Sequence, residues 1–399
     1  MSGATDLLIA ALTAVVLAPV AWYAAQILCG LVPGAPRQPA EAGPGRLAVL
    51  IPAHDEAERI ETVLHALLPL PDGRDRVFVI ADNCRDATAE RASRHDVTVL
   101  ERNDAGAFGK GHALAWALAR PELAAFDLVG VVDADTTACR AAVAVLRQEA
   151  LRTGHPVQGC YLHSAPAAAD AWGAFSRFAV VVNNLVRQRG RRRLGIPAQI
   201  NGSGFVMPMA AARAVPWASD RLAEDAELGL DLSLAGHDPR FVEDAVILSP
   251  APVGEQQVLA QRSGWISGRL ALSVRRVAQA MAIAIRQRRP TALLAALDQA
   301  VPSASLLAAV LGLVLPAILA AGRAGAKTTV PWVLWAVASG TFVIALVLAW
   351  AVCGRSTLSV GTAVKLPWML ARQAWVVAGR LGRGRWRWRH YRGERSRRG

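Results

Sequence analysis

Long runs of uncharged, largely apolar residues stand near both ends of the chain. They occupy residues 7–32, 303–322 and 331–353. A helix needs about 20 apolar residues to cross a bilayer, so each run predicts a membrane-spanning helix. A buried core helix could account for one such run, but three in one chain favour a membrane protein. The first run lacks the basic start and short apolar core of a cleaved signal peptide, and we interpret it as an anchor.

Short apolar strands alternate with helical patterns between these runs. The stretch 46–60 predicts a strand, a turn and a helix that begins near Glu56. Further strands are predicted within 76–86, 96–102 and 128–135, with a helix at 109–120 before the last of them. Strands that alternate with helices predict an α/β fold with a mostly parallel sheet and right-handed crossovers.

The pattern divides the chain into five regions. We predict an N-terminal membrane helix at 1–32, a cytoplasmic α/β domain at 33–274, an amphipathic interface helix at 275–302, two membrane helices at 303–353, and an interface helix with a basic tail at 354–399. The apolar stretch 356–379 is interrupted by Lys365, Pro367 and Arg372. It is therefore expected to lie along the membrane surface rather than to cross it.

The distribution of basic residues predicts how the chain is oriented across the membrane. The net charge is +13, and residues 380–399 contribute +8 of it through nine Arg and one Glu. Because basic residues stay on the cytoplasmic side, we expect the N-terminus outside, residues 33–302 inside, a short outer loop near 323–330 and the tail inside. Arg323 and Lys327 in that loop count weakly against this orientation. The predicted location is the cell membrane, with several spans and a cytoplasmic catalytic domain.

Composition limits the possible partners and compartment. Hydrophobic residues make up 53% of the chain and charged residues 19%. The hydrophobic fraction is higher than that of a usual soluble domain. Its five cysteines have no metal-type spacing and are expected to be free thiols in a reducing compartment. The tail motif RWRWRHYR could bind single-stranded nucleic acid. Its place after a membrane span favours anionic lipid headgroups instead, so no nucleic-acid partner is expected.

Carboxylates follow three of the predicted strands. Asp55 and Glu56 follow the first strand, Asp82 ends the second, and Asp133 and Asp135 end the fourth. Ligands of parallel sheets gather where the carboxyl ends of strands meet. A single Asp-x-Asp could be a solvated turn, but several carboxylates at one edge favour Mg²⁺ or Mn²⁺, which would neutralise them and hold phosphates.

Glycine-rich phosphate loops do not explain how a nucleotide would be held. The segment GAFGKGH (106–112) lacks the spacing of a phosphate loop, and no GxGxxG follows the first strand. We therefore predict that a nucleotide is held by the acids and a metal ion, with Lys110 as a further candidate.

The motifs taken together resemble family 2 inverting glycosyltransferases of the GT-A fold, in particular the membrane-embedded branch of cellulose, hyaluronan and chitin-oligosaccharide synthases. In order they are IPAHDEAERI, ADNCRDAT, GKGHAL, VVDAD, NGSGF, AEDAELGLDLSLAGH and QRSGW, within about 46–270. The resemblance implies a GT-A nucleotide-diphospho-sugar transferase domain with a UDP-sugar donor, a glycan or lipid acceptor, and Mg²⁺ or Mn²⁺. It also implies inversion, so an α-linked donor would give a β-linkage.

The same resemblance assigns roles to individual residues. It places Asp82 on the uridine, Asp55 or Glu56 in the same pocket, and Lys110 near the diphosphate. It makes Asp133 and Asp135 the pair that holds ribose, diphosphate and metal, with Asp135 as the metal ligand. It makes Asp225 the general base that takes the proton from the acceptor hydroxyl. Read alone, Asp225 could simply be an acid that favours a helix N-terminus.

Two further motifs bear on the acceptor. The resemblance places the turn in QINGSGFVM (199–207) at the acceptor. The QxxRW block departs from the family, since Gly264 stands where arginine is usual, while Gln261 and Trp265 match. Arg262 could supply the missing charge to the diphosphate, and Trp265 could stack on a sugar or anchor the chain at the membrane.

The departure at Gly264 leaves processive synthesis in question. One alternative is transfer of a single sugar to a polyprenyl phosphate or another lipid. A chain with three spans could also extrude a polymer as a homo-oligomer. A catalytically inactive scaffold is a third hypothesis, and the presence of the full acid set argues against it.

Overall fold

The computed structural model describes residues 3–34, 43–70, 72–165, 170–218 and 224–381. Its strands are β1 (Leu47–Ala53), β2 (Arg76–Asp82), β3 (Thr98–Arg102), β4 (Leu128–Val131), β5 (Thr137–Ala138), β6 (Val157–His163), β7 (Phe205–Pro208) and β8 (Arg240–Ser249). The helices that precede β8 are α1 (Gly3–Gly30), α2 (Ile60–Leu67), α3 (Thr88–Ala92), α4 (Lys110–Leu118), α5 (Arg140–Thr153), α6 (Ala171–Val181), α7 (Arg187–Arg193), α8 (Met209–Arg213) and α9 (Glu224–Leu234). Those that follow it are α10 (Gly254–Arg286), α11 (Pro290–Gln299), α12 (Ala304–Arg323), α13 (Thr329–Ala349), α14 (Val360–Ala363) and α15 (Leu366–Leu381).

All eight strands lie in one sheet, in the order β3-β2-β1-β4-β7-β6-β8-β5. β1 is paired in parallel with β2 on one side and β4 on the other, and β3 continues the parallel part. β7 is antiparallel to both β4 and β6, so the whole sheet is mixed. The predicted α/β fold and its four parallel strands are confirmed. The carboxyl ends of β1, β2 and β4 consequently lie at one edge of the sheet.

Helices cover both faces of the sheet, which explains why its central strands are apolar along their whole length. On one face, α2 and α5 pack their apolar sides against β1, β2 and β4. On the other face, α4, α8 and α9 pack against the same strands and β7. The first turns of α4 and α9 are thereby held close to the edge where β1, β2 and β4 end.

The helix predicted to begin near Glu56 begins instead at Ile60. Asp55 adopts a left-handed backbone conformation with φ 52°, which turns the chain sharply after β1. The Glu56 amide then donates a hydrogen bond to Thr88 Oγ1 at 2.9 Å. Residues 54–59 therefore form a turn at the end of β1, with their side chains near the loop after β2.

Three helices in the described residues have the length and composition of membrane spans, as predicted. They are α1, α12, and α13 together with a π-helical turn at Trp350–Gly354. The stretch predicted to lie along the membrane surface forms α14 and α15. The arginine-rich tail beyond residue 381 lies outside the described residues.

The predicted boundary between residues 274 and 275 falls inside one continuous helix, α10. The sequence has no proline between 254 and 286, and Pro290 opens the next helix, α11. α10 packs against α6, α9, α11 and α15. It thus joins the sheet domain to α11 and α15 without a break.

Asp298 ties the first apolar helix, α1, to the sheet domain. It is buried near the end of α11 and pairs with Arg191 and with Arg187, whose Nη2 lies 3.4 Å from Oδ1. From α1, Trp22 Nε1 donates to the same carboxylate at 3.1 Å, and Gln26 Nε2 also donates to it. One carboxylate therefore holds α1, α7 and α11 together.

Replacing Asp298 by asparagine is expected to destabilise the protein by about 3–5 kcal/mol, because Arg187 and Arg191 would keep buried charges without a carboxylate. The check is denaturant unfolding of the purified protein in detergent. Glu61→Gln is the matched control, since the side chain of Glu61 lies at the surface 3.8 Å from Arg91. Equal stability of the two variants would contradict this role of Asp298.

Candidate active site

Nine of the ten residues predicted to form the site line one cavity of about 430 Å³. The cavity opens at the sheet edge where β1, β2 and β4 end. The lining residues from the predicted set are Glu56, Asp82, Lys110, Asp133, Asp135, Asp225, Gln261, Arg262 and Trp265. They come from three strand ends, the first turns of α4 and α9, and one face of α10. The fold therefore gathers side chains that lie up to 209 residues apart in sequence, from Glu56 to Trp265.

Asp55 is the predicted residue that does not line this cavity. Its left-handed backbone turns the carboxylate toward the loop after β2, where Oδ1 accepts a hydrogen bond from the Arg85 amide at 2.7 Å. Of the two acids predicted to share the pocket, Glu56 is the one that faces it. Asp55 instead joins Cys84 and Asp86 in a group whose donor atoms lie within 4.8 Å of one another, outside the cavity lining.

Asp82 is held by an arginine that sequence reasoning missed. Asp82 ends β2 directly opposite Arg102 at the end of β3, and Arg102 Nη1 lies 2.5 Å from Asp82 Oδ1. Both side chains are buried. The side-chain amide nitrogen of Asn83, Nδ2, donates a hydrogen bond to the same oxygen at 3.0 Å. The Asp82 carboxylate is therefore held in a fixed position in the cavity wall. The signal in the sequence that could have predicted this pair is a charged residue at the end of each of two predicted strands, Asp82 and Arg102.

Lys110 sits between the acids at the start of α4. Its ammonium group pairs with Asp133 and donates to the carbonyl oxygen of Gly202 at 2.5 Å. Burial lowers the pKa of Lys110, but the carboxylates of Asp133, Glu224 and Asp225 outweigh it and raise that pKa overall. Lys110 thus carries a positive charge inside the cavity. Gly202, with φ 80°, brings the predicted acceptor turn into contact with that charge.

Glu224 is a second group in the site that sequence reasoning missed. Its Oε2 accepts a hydrogen bond from the Gly111 amide at 3.1 Å. Burial raises the pKa of Glu224 to about 7; Asp225 and Asp133 add to the rise and Lys110 opposes it. Glu224 can therefore gain or lose a proton near neutral pH beside Asp225. The neighbouring Ala223, which replaces the family's threonine, lies outside the described residues.

Asp225 lies in the first turn of α9, next to Glu224, and faces the same cavity. Its Oδ1 accepts a hydrogen bond from the Ala226 amide at 2.8 Å. The carbonyl of Ala226 in turn accepts one from Gln299 Nε2 of α11 at 3.2 Å. The first turn of α9 is thereby fixed by α11, next to the Asp298 contacts described above.

An aromatic group at the end of β6 forms another wall. Tyr161 lines the cavity, and its pKa is raised by burial and by the charges of Asp133, Asp135 and Asp225. The ring of His163 lies 6.5 Å from that of Tyr161 and 6.2 Å from that of Trp265. Alternation along β6 puts residues 161 and 163 on one face of the strand. Neither residue was part of the predicted site.

His163 gives a testable pH dependence. Burial and the charges of Arg262 and Arg177 lower its pKa from 6.5 to about 4. Between these values the unfolded chain binds a proton that the folded protein does not, so stability falls as the pH drops from about 6.5 to about 4. His163→Gln is expected to remove a pH-dependent loss of about 3 kcal/mol. Unfolding measured across this range, with His65→Gln at an exposed position as the control, checks it; parallel curves for His163→Gln and the unchanged protein would contradict it.

α10 presents Gln261, Arg262 and Trp265 to the cavity from one helical face. Gly264 is not among the residues that line it. The guanidinium carbon of Arg262 lies 4.9 Å from the centroid of the Phe175 ring. Burial lowers the pKa of Arg262 to about 10. Arg262 thus places a positive charge at the cavity. Gly264, which stands at the position of the family's usual arginine, cannot provide that charge.

The acids of the cavity fit the predicted divalent cation. Mg²⁺ and Mn²⁺ prefer oxygen ligands, and Mg²⁺ is commonly held by one or two carboxylates together with phosphate oxygens and water. Asp133 and Asp135 supply two half-buried carboxylates on the cavity wall. Asp133 is engaged by Lys110, whereas Asp135 lies two residues beyond it on the turn after β4. This small oxygen set suits a cation that also binds a diphosphate.

The sequence of the sheet domain matches a known family. Residues 44–292 match the sequence model of the family described as Glycosyltransferase like family 2, which covers more than half of the chain. The curated protein "Probable glycosyltransferase YdaM" of Bacillus subtilis (strain 168) is 27% identical over 235 residues, which are 56% of this chain and 55% of the relative. The chain thus spans about half the length of this curated relative.

Two solved structures are similar to this chain to different degrees. The mannosyltransferase PcManGT from Pyrobaculum calidifontis, in complex with GDP-Man and Mn²⁺, is 20% identical with a TM-score of 0.53, and the match covers 86% of this chain and 97% of that chain. Glucosyl-3-phosphoglycerate synthase from Mycobacterium tuberculosis, in complex with Mn²⁺, UDP and phosphoglyceric acid, is 21% identical over 57% of this chain and 78% of that chain, with a TM-score of 0.41. The first likeness supports the predicted GT-A-type fold class. The match over residues 44–292 leads to one conclusion: the chain belongs to glycosyltransferase-like family 2.

Proposed function

We propose that this chain is a glycosyltransferase that moves a sugar from a UDP-sugar to a glycan or lipid-linked acceptor at a membrane, with inversion at the anomeric carbon. The observation that carries the proposal is the meeting of Asp82, Lys110, Asp133, Asp135 and Asp225 in one cavity. A catalytically inactive scaffold would have no use for a buried lysine among several carboxylates. Such a cluster favours a working site.

In the proposed donor site, Asp82 and Glu56 face the nucleoside, and the Arg102 ion pair keeps the Asp82 carboxylate in place. Lys110 offers a compact positive charge to the diphosphate. Asp133 and Asp135 would hold Mg²⁺ or Mn²⁺, with Asp135 as the direct ligand. The bound cation would stabilise negative charge on the departing diphosphate. The P. calidifontis structure holds GDP-Man and Mn²⁺, which supports a nucleotide-sugar donor with a divalent cation but does not favour UDP over GDP.

In the proposed reaction, Asp225 accepts the proton of the acceptor hydroxyl while its oxygen attacks the anomeric carbon. A single attack from the face opposite the diphosphate inverts that carbon, so an α-linked donor gives a β-linkage. Lys110, close to both Asp133 and Asp225, can balance the negative charge around the reacting atoms. Glu224 can hold or release a proton near neutral pH beside the base.

The proposal includes two classes of acceptor, a growing glycan and a lipid. The motif order favours the branch of cellulose, hyaluronan and chitin-oligosaccharide synthases, with Trp265 stacking on a sugar ring. The alternative is transfer of one sugar to a polyprenyl phosphate or another lipid. Gly264 in the QxxRW block favours this alternative, and so does the apolar end of the cavity at Ile266, Val301 and Leu306.

We further propose that the catalytic domain faces the cytoplasm of a cell whose membrane holds α1, α12 and α13. The support is the abundance of basic residues after α13. α15 would lie along the inner surface of the membrane. This arrangement places the cavity beside the membrane helices, on the side where nucleotide sugars are made.

The experiment that tests the function uses the full chain purified in detergent with Mn²⁺ or Mg²⁺. A panel of radiolabelled UDP-sugars, with GDP-mannose as a comparison, is incubated with membrane extract, and UDP release and product size are measured. We expect one UDP-sugar to be consumed. A ladder of products would support processive synthesis, and one lipid-soluble product would support the alternative. Turnover of GDP-mannose alone would overturn the donor assignment.

A further inference from the structure

A second cavity, of about 380 Å³, adjoins the main cavity described above. Four residues line both cavities, namely Lys110, Gly202, Glu224 and Asp225. These residues lie close together, since a β-carbon placed on Gly202 would be 3.7 Å from both Lys110 Nζ and Asp225 Oδ2. They form a common wall between the two cavities, and the proposed base Asp225 belongs to that wall.

The second cavity lies in the sheet domain and against α10. Its described lining residues come from α4, the turn before β7, β7 itself, the segment after α8, α9 and α10. None of these described residues belongs to α1, α11, α12 or α13, whereas Leu306 of α12 lines the main cavity. Asp133 and Asp135, which we propose for the metal, line the main cavity and not the second. The second cavity thus reaches Asp225 from a side that holds neither the metal carboxylates nor the apolar helices.

Trp217 gives the second cavity a fixed aromatic wall. Its indole Nε1 donates a hydrogen bond to the carbonyl oxygen of Ala212 at 2.7 Å. Its ring stacks on that of Phe205, with the centroids 6.4 Å apart and the ring planes at 24°. The Trp217 side chain is half-buried, and Phe205 lines the same cavity. Because these contacts hold the ring in the free protein, a ligand that stacks on it loses little binding energy to the ordering of Trp217.

Polar side chains accompany this aromatic wall. Arg276 of α10 forms an ion pair with Asp231 of α9, and both residues line the second cavity together with Glu224. Carboxylates accept hydrogen bonds and a guanidinium group donates them, so the cavity offers both kinds of partner that hydroxyl groups use. Aromatic walls with a few convergent polar groups are typical of small-molecule sites. A sugar ring fits this combination, because its flat faces are largely apolar and its rim carries hydroxyl groups.

We propose that the second cavity binds the terminal sugar of the acceptor, with the ring on Trp217 and one hydroxyl group directed at Asp225. This deepens the proposed function and rests on it. The acceptor must reach the base but needs no contact with the metal or the nucleoside, and the second cavity meets both conditions. The hydroxyl oxygen forms the new bond to the anomeric carbon, the bond from that carbon to the diphosphate breaks, and the proton passes to Asp225.

The proposal also fixes the direction from which the acceptor sugar arrives. It reaches Asp225 from the sheet domain, past Trp217, and not from the end of the main cavity where Trp265 lies. The sugar belongs either to a free glycan or to the head of a glycolipid, which present the same ring to the cavity. A lipid phosphate without a sugar has no flat polar-rimmed ring and does not fit.

The test uses the full chain in phosphatidylcholine nanodiscs with Mn²⁺ and UDP, and follows the shift of the thermal unfolding midpoint. The probes are short oligosaccharides of glucose, N-acetylglucosamine and mannose, a glucosyl diacylglycerol in the disc, and a polyprenyl phosphate in the disc. We expect at least one sugar-bearing probe to raise the midpoint. In Trp217→Leu, the dissociation constant for that probe is expected to rise about tenfold, with the shift caused by UDP retained.

Trp116→Leu is the matched control for Trp217→Leu. Both tryptophans are partly buried and pack against the same apolar core, but Trp116 lines neither cavity. A lower midpoint shared by the two variants therefore reports lost core packing, whereas a lost sugar response in Trp217→Leu alone reports the proposed site. Trp217→Phe, which keeps an aromatic ring, is expected to recover part of the sugar response. Equal sugar affinity in Trp217→Leu and the unchanged protein would overturn the proposal.

The other outcomes each decide a separate point. A response to polyprenyl phosphate with none to any sugar-bearing probe would overturn the proposal, and so would loss of sugar affinity in Trp265→Leu while Trp217→Leu keeps it. Loss of the UDP shift together with the sugar response in Trp217→Leu would assign the cavity to the donor and overturn it as well. A response to the glycolipid alone supports a lipid-linked sugar, and a response to oligosaccharides supports a free glycan. Sugar binding that depends on Trp217, without turnover of any nucleotide sugar, would contradict the proposed function while leaving the sugar site in place.

Discussion

Replacing Asp225 by asparagine is expected to lower the turnover number about 10²- to 10⁴-fold, the usual contribution of a general base. Asparagine has nearly the same shape and can still accept the hydrogen bond from the Ala226 amide, which Asp225 Oδ1 accepts at 2.8 Å. It cannot take a proton from the acceptor hydroxyl. The measurement is the initial rate of UDP release at saturating donor and acceptor. The affinity for UDP, measured separately, is expected to stay near that of the unchanged protein.

Glu227→Gln is the matched control for Asp225→Asn, because it removes one negative charge from the same helix. Glu227 does not line the main cavity, and it lies 3.6 Å from Arg276. Glu224→Gln is the second comparison, since Glu224 is the nearest alternative base. If Asp225→Asn keeps its rate while Glu224→Gln loses it, the base is Glu224 and the assignment made here is wrong.

Removal of divalent metal is expected to lower the rate of transfer about 10³-fold or more, since a metal ion at a leaving diphosphate stabilises the transition state by several kcal/mol. Chelation by EDTA should stop UDP release, and added Mn²⁺ or Mg²⁺ should restore it. Asp135→Asn is expected to raise the Mn²⁺ concentration needed for half-maximal activity. The measurement is a titration of activity with Mn²⁺ in both proteins.

Asp86→Asn is the control for the metal prediction, because Asp86 belongs to the surface group with Asp55 and Cys84. That group has close donor atoms but does not line the cavity. The variant is expected to need no more Mn²⁺ than the unchanged protein. The opposite pattern, with Asp86→Asn impaired and Asp135→Asn unaffected, would place the functional metal at the surface group.

Local sequence patterns predicted most of the elements that build the site. Apolar runs located β1, β2 and β4, because a strand covered on both faces is apolar along its length. Because the carboxyl ends of parallel strands share one edge of the sheet, the sequence then predicted that Asp82, Asp133 and Asp135 lie close together. The three apolar helices were predicted for a similar reason, since length and composition alone define them.

Partnerships between distant residues were not predictable in this way. Arg102 meets Asp82 because β3 pairs with β2 in one register, which a single sequence does not specify. Asp55 was misplaced because its left-handed backbone reverses the direction of the side chain. His163 escaped notice because its proximity to Trp265 arises only when β6 packs beside α10.

The central claim is that one divalent cation lies between the carboxylates of the cavity and the diphosphate of the donor. Pulsed electron paramagnetic resonance of Mn²⁺ bound to the full chain, with UDP present, tests it most directly. We expect ³¹P couplings in the Mn²⁺ spectrum of the unchanged protein, and their loss in Asp135→Asn at the same concentrations. A Mn²⁺ signal without phosphorus coupling, or one that Asp135→Asn leaves intact, would contradict the claim.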